Sequence, residues 1–251
     1  MNALPQKLEQ LSLTTMSRHL DQTIADAASQ NLSLAVTLER LADLELEARR
    51  RRSIERRVKM SRLQTQHSID SFNFAHHKSR QQAKLRILKL LDLDFLHKGT
   101  NLVFVGNPGV GKTMLAKIIG CRACQANHRV LFTTAMDMLN HLLASQVDHS
   151  LVRKLKVYTD PGMLICDELG YLSLDQQSSN LFYQVISDRH ARQRSTVITT
   201  NTAFSDWGNI LYNTTIATAI ADRLVENSEI FLLGGESVRK AGKNPSPPAE
   251  S

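Results

Sequence analysis

The stretch Leu102-Val-Phe-Val-Gly106-Asn-Pro-Gly-Val-Gly-Lys112-Thr113 decides the fold, because an apolar strand is followed at once by a glycine-rich loop and the start of a helix. The loop matches the pattern G-x-x-x-x-G-K-[ST] without a gap. Its glycines let consecutive N–H groups face phosphates, and the helix amino terminus adds a partial positive charge. In this pattern Lys112 neutralises the β- and γ-phosphates, and the Thr113 hydroxyl ligates Mg²⁺. We therefore predict an ATP and Mg²⁺ site whose loop consists of Gly106, Asn107, Pro108, Gly109, Val110, Gly111, Lys112, Thr113 and Met114.

Short β-branched segments alternate with helical patterns through the rest of the chain. The predicted strands are Leu102–Val105, Val130–Thr133, Met163–Cys166, Thr196–Thr200 and Ile230–Leu233. The helical patterns between them include Met114–Ala126, Met136–Leu143 and Ser178–His190. This alternation predicts an α/β fold in which helices cover a parallel five-stranded sheet.

Two polar strand ends are expected to meet the phosphate loop, because ligands of open parallel sheets bind at the carboxyl ends of the strands. The segment Met163-Leu-Ile-Cys-Asp167-Glu168 places Asp167 to hold Mg²⁺ through water and Glu168 to polarise the water that attacks the γ-phosphate. The strand Val197–Asn201 places Asn201 to contact the γ-phosphate or that water, with Thr200 as the second candidate. The alternative for Asn201 is a cap on the following turn.

The net charge of +7 is concentrated in residues 1–100, which hold 17 basic and 11 acidic side chains, against 14 and 13 in residues 101–251. Leucines at helical spacing predict two helices with a turn near Ser29–Ser33, the second running on towards Leu63. We assign residues 1–66 to a helical basic domain for DNA binding and oligomerisation and residues 67–77 to a linker. Phe72 and Phe74 are expected to attach this linker to an ATPase domain at residues 78–240. A disordered tail is expected at 241–251.

The segment Arg49 to Arg62 contains eight cationic side chains and only one acidic side chain, Glu55. Such density suits a row of phosphates, whose neutralisation releases counterions and gives affinity without base specificity. The alternative is a solvated helix face. The residues predicted to bind duplex DNA are Arg49, Arg50, Arg52, Arg56, Arg57 and Lys59.

Several other classes of protein are not indicated. No apolar run approaches the roughly 18 residues of a membrane span, and the amino terminus lacks the apolar core of a secretory signal. The three cysteines predict a reducing compartment, and Cys121-Arg-Ala-Cys124 has no second pair with which to bind zinc. Helix packing is the expected role of these cysteines and of Trp207. We therefore expect a cytoplasmic protein without a membrane partner.

Further segments resemble one family, the IstB-like ATP-binding proteins of insertion-sequence transposons, which are AAA+ ATPases related to the DnaC-type helicase loaders. The matching segments are Cys166-Asp-Glu-Leu-Gly-Tyr-Leu172, Thr200-Asn-Thr-Ala-Phe-Ser-Asp-Trp207, Ala219-Ile-Ala-Asp-Arg-Leu224 and Gly235-Glu-Ser-Val-Arg239, together with the phosphate loop. The resemblance covers nearly the whole chain. Asn107 stands where the family usually has proline, and Val238 stands where it usually has tyrosine.

The resemblance implies that Arg223 is an arginine finger that reaches the γ-phosphate bound by a neighbouring subunit. Arg192 and Arg194 are rival candidates, and the alternative for Arg223 is an ion pair with Asp222 or Glu226 on its own helix. Because only 18 residues follow Leu233, we expect no C-terminal helical lid, although Arg239 could still lie near the phosphates.

The function implied by the resemblance is that of an ATP-dependent regulator of transposition. Subunits would oligomerise on target DNA with ATP at their interfaces, recruit or stimulate a cognate transposase, and use ATP hydrolysis to control assembly. One alternative is a DnaC-like loader of a replicative helicase. Another is a nucleotide-dependent scaffold without useful hydrolysis.

Overall fold

The amino-terminal helices form a small unit of their own in the computed structural model, which describes residues 3–64, 68–170 and 173–235. The chain divides into two compact units, residues 1–56 and 57–251. The first contains α1 (Leu4–Gln10), α2 (Thr14–Ser29) and most of α3 (Leu34–Met60), around a core of Leu8, Leu20 and Leu41. The predicted turn near Ser29–Ser33 is confirmed, and the Ser33 hydroxyl accepts a hydrogen bond from the N–H of Val36 at 3.4 Å.

Helix α3 ends at Met60 rather than at Leu63. Arg62 and Gln64 both have positive φ angles, which helical residues do not adopt. Leu63 and Phe72 are buried in the core of the second unit. The division therefore falls ten residues before the expected boundary at residue 66. The described part of the expected linker, residues 68–77, forms two 3-10 helices, Ile69–Ser71 and Phe74–His76, and the expected packing of Phe72 and Phe74 against the second core is confirmed.

The second unit is built on a parallel sheet with strand order β2-β3-β4-β1-β5. The strands are β1 (Asn101–Gly106), β2 (Val130–Thr134), β3 (Met163–Leu169), β4 (Ser195–Thr200) and β5 (Ser228–Leu233). The helices are α4 (Lys78–Lys89), α5 (Asp94–His97), α6 (Lys112–Gln125), α7 (Ala135–Val147), α8 (Leu151–Thr159), α9 (Gln176–Ala191), α10 (Trp207–Ile210) and α11 (Thr214–Val225). All five predicted strands and the predicted α/β class are confirmed, whereas α5, α8 and α10 were not predicted.

Two apolar layers cover the sheet, because alternate strand residues point to opposite faces. Leu102, Phe104 and Ile165 belong to one cluster with α4 and α6, whereas Val103 and Leu164 belong to a second cluster with α7, α9 and α11. This packing fixes the strand register and brings the carboxyl ends of β1, β3 and β4 to one edge of the sheet. In the described part of the chain, no helix combines the length and apolar character that a membrane crossing requires. The expected tail and the expected absence of a lid lie outside the described residues.

Candidate functional site

The phosphate loop connects β1 to α6, and its shape depends on glycine at three positions. Gly109 and Gly111 have φ angles of +82° and +87°, a region that side chains with a Cβ rarely adopt. At Gly106 a Cβ would lie 2.0 Å from the carbonyl oxygen of Leu233 on β5. At Gly111 it would lie 2.7 Å from Cε2 of Phe72. The loop therefore curls where the sequence pattern predicts, and it is packed too closely for larger residues.

The Lys112 side chain folds back into this loop and is only 7% exposed. Its Nζ donates hydrogen bonds to the carbonyl oxygens of Gly106 at 2.7 Å and Asn107 at 2.9 Å. Hydrogen bonds from an ammonium group to a charged oxygen are stronger than those to a neutral carbonyl. The amino group is thus held where an anion in the loop would compete for it.

A second group of contacts joins the phosphate loop to β3 and β4. The Thr113 hydroxyl donates to Oδ1 of Asp167 at 2.9 Å. The Thr199 hydroxyl on β4 donates to the same oxygen, and Asp167 is 3% exposed. The two residues predicted to hold Mg²⁺ are therefore in direct contact. The structure adds Thr199, which the sequence analysis did not single out.

Glu168, the predicted catalytic base, follows Asp167 in an unusual backbone conformation. Its φ angle is +62°, its side chain is exposed, and its N–H donates to the Thr199 hydroxyl at 3.0 Å. The pairing of β3 with β4 shifts register between Cys166 and Leu169, so Glu168 lies in an irregularity of the ladder. Such irregularities redirect a side chain out of the sheet's alternation. Here the result is that Glu168 faces the same cavity as the loop.

This cavity has a volume of about 260 Å³ and lies entirely within the second unit. It is lined by Ser71, Phe72, Asn73, Arg80, Gly109, Gly111, Lys112, Thr113, Met114, Glu168 and Thr199. Five of these belong to the predicted loop, and Glu168 is the predicted base. The wall formed by Ser71, Phe72 and Asn73 comes from the segment that was expected to be only a linker.

Arg80 on α4 connects that wall to the loop. Its guanidinium donates to the carbonyl oxygens of Val110 at 2.7 Å and Asn73 at 3.0 Å, and it lies 5.0 Å from the centre of the Phe72 ring. The side chain is 1% exposed, and this burial lowers its pKa. The guanidinium group is planar and holds its N–H donors in a fixed geometry, so it can donate to two backbone carbonyl groups at once. Arg80 thus connects the phosphate loop to the Ser71–Asn73 wall of the same cavity.

Asn201 lies outside this group of contacts. It is exposed, and its Oδ1 accepts a hydrogen bond from the Thr202 hydroxyl at 3.2 Å. The Thr200 hydroxyl accepts from the N–H of Thr202 at 3.0 Å. Among the described residues that line the cavity, the one supplied by β4 is Thr199. The γ-phosphate contact of Asn201, or of Thr200, stays a prediction.

Arg223 on α11 does not form the ion pair that was the alternative to a finger. Its Nη1 donates to the carbonyl oxygen of Ala219 at 2.8 Å, and its guanidinium lies 4.9 Å from the centre of the Tyr183 ring. Glu226 instead contacts His190 at 2.8 Å. Arg223 as a whole is half-buried. Its role as a finger stays a prediction.

The rival candidates, Arg192 and Arg194, both contact residues of the same chain. Arg192 forms ion pairs with Asp160 at 3.1 Å and with Asp188 at 3.0 Å. Arg194 donates to the carbonyl oxygen of Thr159 at 2.5 Å and lies 3.5 Å from Asp160. A residue that reaches a neighbouring nucleotide would have to leave these partners first. Arg239 lies outside the described residues.

The predicted cysteine and tryptophan roles agree with the structure. Cys121 and Cys124 are buried on α6, and burial raises the pKa of Cys124 to about 11, so its thiol stays protonated at neutral pH. Within residues 3–64, 68–170 and 173–235, no group of three or more His, Cys, Asp or Glu side chains could hold a metal ion. Trp207 is buried, and its ring centre lies 4.5 Å from that of Phe204.

In the first unit, two of the predicted DNA-binding arginines are tied to a buried carboxylate. Arg49 and Arg52 both contact Oε1 of Glu45 at 3.0 Å, and they also donate to Ser12 and Thr14 at the start of α2. The other oxygen of Glu45 accepts from the N–H groups of Thr15 at 2.7 Å and Met16 at 3.2 Å. Glu45 therefore caps α2 from α3, and the two arginines complete this connection.

The remaining cations of the run differ in exposure. Arg50, Arg56 and Lys59 are exposed, and Arg51 has only a long contact of 3.9 Å with Glu55. Arg57 is half-buried, and its Nε atom is buried without a hydrogen-bond partner among the described residues. The exposed charge of the run in the first unit is therefore carried mainly by Arg50, Arg51 and Arg56, while Arg49 and Arg52 are each about half exposed.

The Glu45 contacts predict a dependence of stability on pH. Burial opposes ionisation of Glu45, but the hydrogen bonds from Arg49, Met16 and Thr15 outweigh it and lower the pKa to about 2 from an ordinary 4.5. Because the folded pKa is the lower one, this stabilisation is present above about pH 4.5 and is lost as the pH falls towards 2.

We expect Glu45→Gln to lower the free energy of unfolding at about pH 6 and the gap from wild type to narrow by about pH 3. Urea unfolding of the full chain, followed by far-ultraviolet circular dichroism, measures this gap. Glu47→Gln, at an exposed position on the same helix, is the control and should show little gap at either pH. A gap for Glu45→Gln that does not change with pH would contradict the assignment.

The family and the relatives that this chain matches are described as ATP-binding, which agrees with the phosphate loop of the site. The model of the family described as IstB-like ATP binding protein matches residues 6–246. A protein of insertion sequence IS5376 from Geobacillus stearothermophilus, which its name describes as ATP-binding, is 37% identical over 91% of this chain and 90% of its own length. A similarly named protein of insertion sequence IS21 from Pseudomonas aeruginosa is 32% identical over 95% of this chain and 89% of its own length.

Three solved structures have a similar fold. The DnaC helicase loader has a TM-score of 0.56 and 24% identity, covering 70% of this chain and 98% of its own. DnaI has a TM-score of 0.59 and 19% identity, covering 70% and 93%. DnaA of Aquifex aeolicus bound to AMPPCP has a TM-score of 0.56 and 14% identity, covering 68% and 51%. At these identities the likeness concerns the fold, which is the predicted AAA+ arrangement.

Proposed function

Because the chain belongs to the IstB-like ATP-binding protein family, we propose that it hydrolyses ATP with Mg²⁺ and uses ATP to control its assembly on target DNA. The observation that carries this proposal is the contact of buried Asp167 with Thr113, which lines one cavity together with Glu168. A hydroxyl at the phosphate loop, a buried carboxylate and a neighbouring exposed carboxylate are the groups that phosphoryl transfer to water requires.

The residues at this edge of the sheet are suitable ligands for Mg²⁺. This cation usually keeps several waters and is bound by one or two protein oxygens together with substrate phosphates. Thr113 and Asp167 supply such oxygens, whereas the described residues offer no larger cluster of ligands. When bound, the cation would neutralise charge between the β- and γ-phosphates. The chain itself orients these two side chains through the hydrogen bond of 2.9 Å between the Thr113 hydroxyl and Asp167.

Two further side chains act on the nucleotide and the water in this proposal. Lys112 exchanges its two carbonyl partners for the β- and γ-phosphate oxygens, which attract its charge more strongly. Glu168 accepts a proton from the attacking water at the open side of the cavity. Arg223 supplies a charge to the γ-phosphate in a neighbouring subunit, which would require oligomers with ATP at each interface. Its guanidinium stacks on the ring of Tyr183.

The basic run on α3 is proposed to hold duplex DNA without reading its sequence. Three exposed arginines within seven residues concentrate positive charge on this part of α3, and the acidic contact that the described residues give them is the long one of 3.9 Å between Arg51 and Glu55. Relatives of this chain are named for insertion sequences, which supports target DNA and a cognate transposase as partners. A helicase loader would use the same ATPase fold, and the fold likeness to DnaC alone does not favour it.

The DNA proposal predicts the behaviour of a triple variant. Arg50→Ala, Arg51→Ala and Arg56→Ala together are expected to weaken binding to all duplex sequences alike. The slope of log affinity against log salt should become smaller by about 2.7, because each lost phosphate contact accounts for about 0.9. Fluorescence anisotropy of labelled duplexes over a salt series, with Mg²⁺ and a slowly hydrolysed ATP analogue, measures both quantities.

A second triple variant controls for net charge. Lys7→Ala, Arg18→Ala and Arg40→Ala remove the same three charges from exposed positions of the first unit that lie outside the run. This control should keep most of the wild-type salt slope. Equal slopes for the wild type and the Arg50, Arg51 and Arg56 variant would contradict the DNA proposal and leave the helicase-loader alternative in its place.

A further inference from the structure

Thr199 occupies a position between the two acidic residues of the site. It lies near the end of β4, is 1% exposed and lines the cavity. Its hydroxyl donates to Oδ1 of Asp167 and accepts from the N–H of Glu168 at 3.0 Å. A threonine hydroxyl has one hydrogen to donate and lone pairs to accept, so both contacts can be made at once. One side-chain atom therefore contacts both consecutive residues of the predicted hydrolytic pair.

The contact with Glu168 replaces a missing backbone contact. Regular pairing of β3 with β4 continues from Met163 to Cys166 and resumes at Leu169 opposite Thr200. Glu168 lies in this break with a φ angle of +62°, a conformation that residues other than glycine seldom adopt. A conformation of this kind persists only where surrounding contacts fix it, and it is often found at functional sites. The Thr199 hydroxyl is such a contact.

The contact with Asp167 determines which carboxylate oxygen is left for other partners. Thr113 and Thr199 both donate to Oδ1. Two donors on one oxygen fix the plane of the carboxylate, and they leave the lone pairs of Oδ2 for water or a cation. The same hydroxyl thus orients the carboxylate of Asp167 and the backbone that carries Glu168.

We propose that Thr199 is the positioning residue of this site, holding Asp167 towards the metal and Glu168 towards the attacking water. This proposal rests on the proposed ATP hydrolysis. It differs from the contact predicted for Asn201, since Thr199 acts through the two acidic residues and need not touch the nucleotide. Loss of its hydroxyl should therefore affect turnover and the use of Mg²⁺ more than the affinity for ATP itself.

Three variants test the proposal. Thr199→Val keeps the shape of the side chain and removes the hydroxyl, Thr199→Ser keeps the hydroxyl, and Thr133→Val removes a buried hydroxyl from β2 outside the cavity. Circular dichroism checks that each variant is folded. If Thr199→Val does not fold, Thr199→Ala, which removes the hydroxyl and introduces no new group, takes its place beside Thr199→Ser.

For Thr199→Val we expect kcat to fall about 100-fold, which is the range for loss of one positioned group at a reaction centre. The Mg²⁺ concentration for half-maximal binding of ATP should rise at least threefold, while ATP affinity at saturating Mg²⁺ stays within threefold of wild type. Thr199→Ser and Thr133→Val should stay within threefold of wild type in all three quantities. Equilibrium titration with a fluorescent ATP analogue gives the two binding quantities independently of turnover.

Two results would overturn the proposal. One is wild-type turnover and wild-type Mg²⁺ dependence in Thr199→Val. The other is a Thr199→Ser variant as impaired as Thr199→Val, which would indicate a role in packing rather than hydrogen bonding. If the wild-type chain itself releases no phosphate, the proposed hydrolysis fails, and Thr199 is then judged by the Mg²⁺ titration alone, in which an unchanged midpoint rejects it.

Discussion

Glu168→Gln is expected to reduce ATP hydrolysis at least 100-fold while ATP remains bound. The amide keeps the size of the side chain but cannot accept a proton from the attacking water, and general-base catalysis typically accounts for a factor of 100 to 10,000. Glu168 is exposed at the cavity and takes no part in the hydrogen bonds described here for Lys112 and Thr113, so the phosphate loop should be unaffected. Phosphate release at saturating ATP and titration with a fluorescent ATP analogue measure the two effects separately.

The control for this variant is Glu229→Gln, which changes an acidic residue on β5 that contacts Arg86 at the surface at 3.4 Å. It should hydrolyse ATP within about twofold of wild type, since exposed ion pairs contribute little to stability. Glu168→Gln with wild-type phosphate release would show that Glu168 is not the base. No phosphate release by the wild type itself would instead favour the nucleotide-dependent scaffold as the function.

Gly106→Ala should destabilise the second unit and abolish ATP binding together. A Cβ at this position would lie 2.0 Å from the backbone oxygen of Leu233, and a backbone atom in a paired strand cannot move aside as a side chain can. Overpacking of this kind typically costs about 1–3 kcal/mol and sometimes more. The strain falls at the junction of β1 with the phosphate loop, so the loop should lose its shape even where the fold survives. Urea unfolding and ATP titration measure the two losses.

Gly162→Ala provides a matched control. There a Cβ would have Arg129 O as its nearest neighbour at 3.7 Å, an ordinary contact. This variant should unfold within about 0.5 kcal/mol of wild type and bind ATP normally. A Gly106→Ala variant as stable as Gly162→Ala, with normal ATP affinity, would mean that β5 does not approach the loop as closely as the structure has it.

The sheet and the centre of the site could be predicted because the sequence signals for them are local. An apolar strand followed by the loop pattern fixed the position of Lys112 and Thr113. The carboxyl ends of parallel strands share one edge, so Asp167 could be placed beside Thr113 although 54 residues separate them. These inferences needed only the order of the elements.

The sequence analysis missed two residues of the site, Arg80 and Thr199. Their roles depend on contacts between distant parts of the chain, which leave no periodic pattern in the sequence. Arg80 lies in a run of basic and polar residues on α4, and nothing in that run distinguishes the one buried arginine. Thr199 was overlooked because the sequence does not show the register of β3 against β4. Cys166 pairs with Ile198, so the next position along both strands places Thr199, and not Thr200 or Asn201, beside Asp167.

The basic run shows a similar limit of sequence analysis, because a count of charges does not show which cationic side chains already have partners. Counting cations predicted one continuous row of phosphate contacts, including Arg49 and Arg52. The structure uses these two arginines to hold Glu45, which caps α2 across 30 residues of sequence. A buried carboxylate so far along the chain could not be paired with its backbone donors from spacing alone. Fewer cationic side chains of the run are therefore available for phosphate contacts than the sequence indicated.

The central claim is that ATP controls the grip of this chain on DNA, and one measurement tests it most directly. The affinity of the wild-type chain for a labelled duplex is determined at fixed salt with Mg²⁺ and a slowly hydrolysed ATP analogue, with ADP, and without nucleotide. The account predicts at least tenfold tighter binding with the analogue than in the other two states. It also predicts that Lys112→Ala, which removes the phosphate-binding ammonium group, abolishes this difference. Equal affinity of the wild-type chain in all three states would contradict the account.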